Sequence, residues 1–572
     1  MSTATSTAMN DTAPGAIDPF TFAVIHRSLI GIARDMKLMT MRTAYTQLWK
    51  EQGDLSCCLM DGAGDIVAQD PNGFPIHVTT MPMQLKGAVA AIGRDTLEPG
   101  DIIATNDPYI GGTHLPDVLI ARPLFHEGEL FAFACNRGHW ADIGGMGPGS
   151  YSPSASDIHQ EGLFIPPVKL VARGVVQQGV IDMIIGNIRN KRVGHGDLRA
   201  QYASTETAAT RFAALVARYG FATVRRAMGE IVDRAEAMTR AKIAAFKDGV
   251  YHVRDCLDGD GINRGKRWVD VKVTVSGSDI EVDLTGSDPT SAGGMNCSHS
   301  AAASAVQYAI KAITDPENPP NAGSYRPVKV LTKPGTLVDA QPPASMIGFG
   351  DVTYRVMDAT LAALAPAVGE RAVAAGSGST GTVVITGPGA EGGSFISIEL
   401  ASGAWGARYG SDGISGMRYG PGNAGHIPIE ADEMENPLLF ERYEIVPDTG
   451  GAGRTRGGNG FVRAFRVECD GARICLCSDR DETPPPGLDG GAPGTTARFV
   501  IDPDGPNPTV LPSKTAYIPV PRGSLVHLQS AGGAGMGSPG ERDGAAIADD
   551  VADGYVTPEH AAKVYGWLPT RA

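Results

Sequence analysis

The sequence predicts a multidomain α+β protein with mixed and antiparallel sheets, helices between them and a β-rich C-terminal part. Three observations carry that expectation. The chain has 572 residues, too many for one ordinary core, so about two to four domains are expected. Short apolar, β-branched runs recur in pairs across Gly-containing links, the pattern of antiparallel hairpins. The texture also changes along the chain: helical spacing is prominent up to residue 248, strands appear beyond Gly249, and from about Glu441 onward the chain is strand-rich. The expected division is a disordered tail at 1–17, an α/β domain at 18–248, an α+β middle domain at 249–440 and a β-rich domain at 441–572.

The elements follow in order. Pro19 to Gln47 carries Phe22, Ile25, Leu29, Ile32 and Met36 at helical spacing. A hairpin follows, Leu55 to Met60 and Ile66 to Gln69 around a Gly-containing turn, with Asp54 and Asp70 at its open end. Thr80 to Ile92 reads as a helix, and Ile102 to Thr105 as a strand. A second hairpin joins Val118–Leu124 to Leu130–Cys135 through His126-Glu127-Gly128. Helices are expected over Val180–Asn187 and Asp197–Met238, with Asp197 as an N-cap, and Tyr219-Gly220 separates two amphipathic helices between Phe212 and Phe246. Val269–Val275 and Ile280–Leu284 alternate like strands; Ala301–Ile313 and Val352–Leu364 read as helices. Strands are expected over Phe461–Glu468, Arg473–Cys477, Ala497–Ile501 and Ser524–Leu528, with a last helix at Pro558–Tyr565.

Composition narrows the function classes. A formal charge of -14 argues against a nucleic-acid groove. No stretch approaches the roughly 18 to 20 apolar residues that span a bilayer, and the first residues lack the basic start and apolar run of a secretory signal. A cytoplasmic protein is the expectation. The eight cysteines are scattered without a Cys-x-x-Cys pair, which suits buried thiols in a reducing compartment better than disulfides or a structural zinc.

The stretch 106–167 gathers the chemistry. Because a hairpin returns the chain to its start, His114 and Asp117 before its first strand should lie near His139 and Asp142 after its second. Two imidazoles and a carboxylate suit a divalent ion such as zinc, manganese or iron(II), and Asp54 at the other hairpin's open end is a further candidate ligand. Ordinary turn histidines explain the same spacing about as well. Asp142 can orient a ligand histidine or simply form a turn before two glycines. Glu161 is a candidate general acid/base or a surface turn residue, and His77 either lines the same pocket or sits satisfied in the core. There is no Walker-type loop, no strand-linked Gly-x-Gly-x-x-Gly, no His-x-His pair and no Gly-x-Ser-x-Gly elbow.

Several motifs together are more specific. NDPYIGGTHLPD, GHWADIGGMGPGS and HQEGLFIPPVKL, with GDLSCCLMDGAGDIVAQD before them and ERYEIVPDTGGAGRTRGGNG and AGGAGMGSPGERDG after, resemble the hydantoinase B family. That family includes 5-oxoprolinase, N-methylhydantoinase, caprolactamase, and acetone and acetophenone carboxylase subunits. Leu55, His159 and Ala452 depart mildly from its pattern. The resemblance implies a divalent metal, zinc or manganese, held by His114, Asp117 and His139, with Asp54 as an additional acidic ligand. It also implies a hydantoinase A-type partner subunit that carries ATP and Mg²⁺, in an (αβ)2 or larger assembly. The function it implies is the metal-containing subunit of an ATP-dependent cyclic amidohydrolase. The alternatives are a subunit of a biotin-independent ketone carboxylase and a noncatalytic scaffold for the ATPase. Asp142, Glu161 and His77 are the catalytic candidates, on a small-molecule substrate.

Overall fold

A computed structural model describes residues 17–389 and 394–568. The expected tail at 1–17 falls outside them apart from Ile17. The first strands and helices are α1 (Pro19–Thr43), β1 (Leu55–Asp61), β2 (Ile66–Gln69), α2 (Pro75–Ile92), β3 (Ile102–Thr105), β4 (Asp117–His126), β5 (Glu129–His139), β6 (Val168–Ala172) and β7 (Val175–Val176). Both expected hairpins are present. They join into one seven-stranded antiparallel sheet of order β2-β1-β5-β4-β3-β6-β7.

This sheet is covered on both faces, which is why its strands read as unbroken apolar runs. Leu55, Cys57 and Leu59 of β1, with Val118 and Ile120 of β4, join the core that contains Phe22, Ile25 and Leu29 of α1. The alternate residues Cys58, Met60, Leu119, Phe133 and Cys135 pack instead with Val78, Met81 and Leu85 of α2. Side chains of a strand alternate between faces, so parity decides which helix each residue meets. Even the polar residues obey it. Asn136 bonds Gln201 and Ser204 on one face, while Arg137 reaches Thr80 and Gln84 of α2 on the other.

Next come α3 (Lys191–Tyr219) and α4 (Phe221–Ile243), separated at Gly220 as expected. The helix start expected at Asp197 is not there. Asn190 caps α3 and Asp197 lies inside it, its carboxylate accepting from the Tyr45 and Thr46 N–H groups. The glycines serve packing: a Cβ at Gly194 would meet Ile188 at 1.9 Å, and one at Gly196 the Tyr45 ring at 2.1 Å.

A four-stranded sheet holds β8 (Gly249–Leu257), β9 (Arg267–Ser276), β10 (Asp279–Asp283) and β11 (Val328–Leu331), with β10 and β11 parallel. Two helices, α5 (His299–Thr314) and α6 (Phe349–Val368), follow the expected periodic segments. A third sheet pairs β12 (Thr382–Pro388) and β13 (Ser394–Leu400) with later strands at Arg473–Cys477 and Lys514–Pro519. It therefore crosses the expected boundary at 440/441. The main core likewise runs from Phe22 to Cys477, across the boundary at 248/249 as well. The remaining strands form a five-stranded sheet between Leu438 and Gln529. At the end the expected helix is one short helical turn, Pro558–His560, followed by a wide turn over Ala561–Tyr565. All eight cysteines are unpaired thiols. No helix among the described residues is long and apolar enough to cross a membrane.

Candidate metal centre

The site is a row across three neighbouring strand ends. Asp117 pairs with His139 at the open end of the β4–β5 hairpin, and Gly138 pairs with Leu55 on the other side. The His139 N–H then donates to the Asp54 carbonyl at 3.2 Å, so Asp54, His139 and Asp117 stand side by side. A turn closed by Asp117 N–H to the His114 carbonyl, 3.2 Å, brings His114 over the row. His77 arrives from the first turn of α2, the helix on that face.

Distances within the cluster are short. His77 Nε2 lies 3.2 Å from Asp117 Oδ1 and 3.7 Å from Asp54 Oδ1, and His114 Nε2 lies 3.5 Å from Asp117 Oδ2. The His114 and His139 rings are 4.9 Å apart between centroids. One donor atom each from His114, Asp117 and His139 fits within a 4.8 Å span. The walls are apolar and aromatic: Phe74 packs on His77, Phe349 on His114, and Tyr151 stacks on His139 with its hydroxyl 3.1 Å from Nε2. Trp49 supports the row from behind, donating its indole N–H to the His139 carbonyl at 2.8 Å.

Burial sets the electrostatics. His139 is pushed down to about 4 by desolvation and by its neighbour His114, so its ring is neutral at neutral pH. Burial opposes ionisation of Asp117, but His77 and His114 outweigh it and hold the carboxyl well below its usual range. Asp54 Oδ1, Asp117 Oδ1, both ring nitrogens of His114 and the Nδ1 atoms of His77 and His139 are buried without a hydrogen-bond partner. Buried polar atoms are ordinarily paired. A clustered group of unpaired nitrogens and carboxylate oxygens has the chemistry of the donor sets that divalent cations take.

The sequence-predicted residues divide. Asp54, His77, His114, Asp117 and His139 line one narrow cavity. Asp142 does not line it; its carboxylate takes the N–H groups of Gly144, Gly149 and Arg189 and the Arg189 guanidinium, locking the turn that leads to Tyr151. Glu161 is buried behind the cavity, with Oε1 held by the Ser345 hydroxyl at 2.7 Å and the Met346 N–H, and Oε2 unpaired. Burial raises its carboxyl, against the pull of Ser345. Asp70 pairs with Lys37 at 3.7 Å and plays no part in the cavity. Tyr151, Phe349, Thr380, Thr382 and Arg418 also line the cavity; no motif or periodicity pointed to them.

The chain is a multidomain α+β protein whose strand ends gather a buried cluster of histidines and carboxylates. Residues 18–539 match the Hydantoinase B/oxoprolinase family, and the chain belongs to that family. A protein of Pseudomonas sp. (strain NS671), provisionally named as a D-/L-hydantoinase subunit, is 32% identical, covering 96% of this chain and 95% of its own. The caprolactamase beta subunit of Pseudomonas jessenii is 30% identical over 96% of both chains. The crystal structure of ATP-dependent caprolactamase from Pseudomonas jessenii superposes with a TM-score of 0.90 at 27% identity, covering 97% of each chain. Nucleotide-free acetone carboxylase gives a TM-score of 0.88 at 21% identity, covering 96% of this chain and 79% of that one, a likeness of fold.

Proposed function

We propose that this chain is the metal-containing subunit of an ATP-dependent cyclic amidohydrolase, of the hydantoinase, oxoprolinase or lactamase kind. The substrate ring is activated by phosphorylation on a hydantoinase A-type partner subunit and opened here. The observation that carries the reading is the buried row Asp54–His139–Asp117 with His114 above it, in which Asp54 Oδ1, Asp117 Oδ1, His139 Nδ1 and both His114 ring nitrogens have no hydrogen-bond partner among the described residues. His114, Asp117 and His139 would hold the ion, with Asp54 as the added carboxylate. Two imidazoles with carboxylate oxygens accept zinc or manganese. A divalent ion there would supply Lewis acidity to an oxygen ligand, polarising the ring carbonyl or making a water more acidic.

The chain's own residues do the rest. His77 bridges the Asp54 and Asp117 carboxylates and fixes their direction. Tyr151 holds the His139 ring through its hydroxyl. Glu161, raised by burial, is the carboxyl suited to keep and release a proton behind His114. Asp142 is a positioning residue, which sets the turn that carries Tyr151.

Two rivals are separable. A ketone carboxylase subunit has the same fold in acetone carboxylase, and a scaffold would need no metal. The test uses this chain assembled with its ATPase partner. Metal content is measured, then ATP consumption with hydantoin, 5-oxoproline, caprolactam and acetophenone, with and without labelled bicarbonate. Ring opening without label in the product is expected. Label in the product moves the chain to the carboxylases, and full turnover by a metal-free His114→Ala complex makes it a scaffold.

A further inference from the structure

Arg418 is the one cavity-lining residue with a permanent positive charge. It is only 7% exposed, and its Nε and Nη1 are buried without a hydrogen-bond partner. No carboxylate among the described residues lies within ion-pair distance of it. What surrounds it is neutral: its guanidinium carbon sits 5.6 Å from the centroid of Phe74, whose ring in turn packs on His77, and the Tyr354 hydroxyl lies beside it. Most other buried arginines differ. Arg122, Arg355, Arg456, Arg463, Arg480 and Arg542 each face a carboxylate at 3.2 Å or less, and Arg137, which faces none, spends its guanidinium on the His77 carbonyl and the side chains of Thr80 and Gln84.

A buried, unpaired guanidinium is costly unless something anionic meets it. Phe74 offsets part of that cost, since a cation over an aromatic face is attracted to it, but a ring satisfies no N–H. The backbone around Arg418 is held independently of its charge: its carbonyl accepts the Trp405 indole N–H at 3.2 Å, and Tyr354 donates to the Tyr419 carbonyl at 2.6 Å. The side chain is thus held toward the cavity with donors to spare.

We propose that Arg418 is the anion-recognition residue of this cavity, and that the ligand taken there carries a phosphoryl or carboxylate group. Charge supports this. Asp54 and Asp117 balance a divalent ion, which leaves the Arg418 charge for the ligand. The planar fork of a guanidinium matches both oxyanions. A phosphoryl group would come from the activation step and a carboxylate from the substrate itself. The inference rests on the proposed function for the origin of its ligand, but not for its test.

The test is equilibrium binding to the assembled complex, metal-loaded and metal-free, with inorganic phosphate, acetate and neutral acetamide as probes. In Arg418→Met, phosphate or acetate affinity should fall about tenfold or more, the loss of one charged hydrogen-bonding partner. Acetamide binding and metal content should not change. Loss of phosphate with acetate unaffected assigns the site to the phosphoryl group, and the reverse assigns it to a substrate carboxylate. Thermal midpoint is the second readout. Removing an unpaired buried charge should leave it unchanged or raise it, whereas a structural pin would lower it. Unchanged affinity for both anions, or a variant that does not fold, overturns the proposal. Absence of metal from the wild-type complex, with anion binding still lost in Arg418→Met, would overturn the metal reading and leave this one standing.

Discussion

Asp117 and His139 are the last residue pair of the β4–β5 ladder, facing each other where the hairpin opens. Asp54 flanks His139 from the strand on the other side. Two potential ligands thus rest on hydrogen-bonded strands and the third on the residue leading into β1, a framework that holds side chains more firmly than loops do. If they bind a divalent ion, replacing one should empty the site without unfolding the sheet. His139→Ala is expected to lower bound metal to background and turnover of the assembled complex by at least about a hundredfold. Elemental analysis alongside circular dichroism checks it; full metal occupancy in the variant would remove His139 from the ligand set.

His77 touches both carboxylates without belonging to the tightest donor cluster. Residues that orient ligands typically contribute roughly 10- to 100-fold to metal affinity. His77→Gln should therefore weaken binding by that factor in chelator competition while occupancy at saturating metal stays complete. Complete loss at saturation would make His77 a ligand.

Gly138 is the residue before His139, and a Cβ there would lie 2.4 Å from the Trp49 ring. Trp49 is fully buried and its indole holds the His139 carbonyl, so it has nowhere to retreat. Gly138→Ala should destabilise the fold by about 1–3 kcal/mol, the usual cost of overpacking, and weaken metal binding with it. Denaturant unfolding at fixed metal concentration measures the first, and an unchanged midpoint would show that Trp49 yields.

Asp197 supplies a pH test away from the site. Burial raises its carboxyl to about 6, despite the N–H donors of Tyr45 and Thr46. The folded state therefore holds the proton more tightly than the unfolded chain. Its contribution is complete below about pH 4, the unfolded value, and is lost as pH rises through about 6. Asp197→Asn keeps a carbonyl acceptor and cannot ionise. Relative to wild type it should gain up to about 2 kcal/mol between pH 4 and pH 7.5. A wild-type-to-variant difference that stays flat across that range would contradict the assignment.

Local pattern determined much of this molecule. Two hairpins, each a pair of β-prone runs about a turn, were legible in the sequence, and hairpin geometry alone brings Asp117 to His139. Periodicity also marked α1, α5 and α6, and Gly220 between α3 and α4. Where local cues failed, packing had overruled them. Asp197 read as an N-cap yet lies inside α3, which runs through Gly194 and Gly196 because their missing side chains admit Ile188 and Tyr45.

Only the tertiary structure decided the rest of the cavity. Tyr151, Phe349 and Arg418 come from separate parts of the chain, two from loops and one from a helix start. Nothing in their immediate neighbours distinguishes them, because a wall residue is defined by what it faces across a cavity. The same holds for Asp142 and Glu161. The sequence placed them in the right stretch, but whether a carboxylate meets the cavity or closes a turn depended on Arg189 and Ser345. A hairpin is a property of the local chain, so the pairing of Asp117 with His139 could be read from it. Convergence of distant segments is a property of the folded core, and only the packed core displays it.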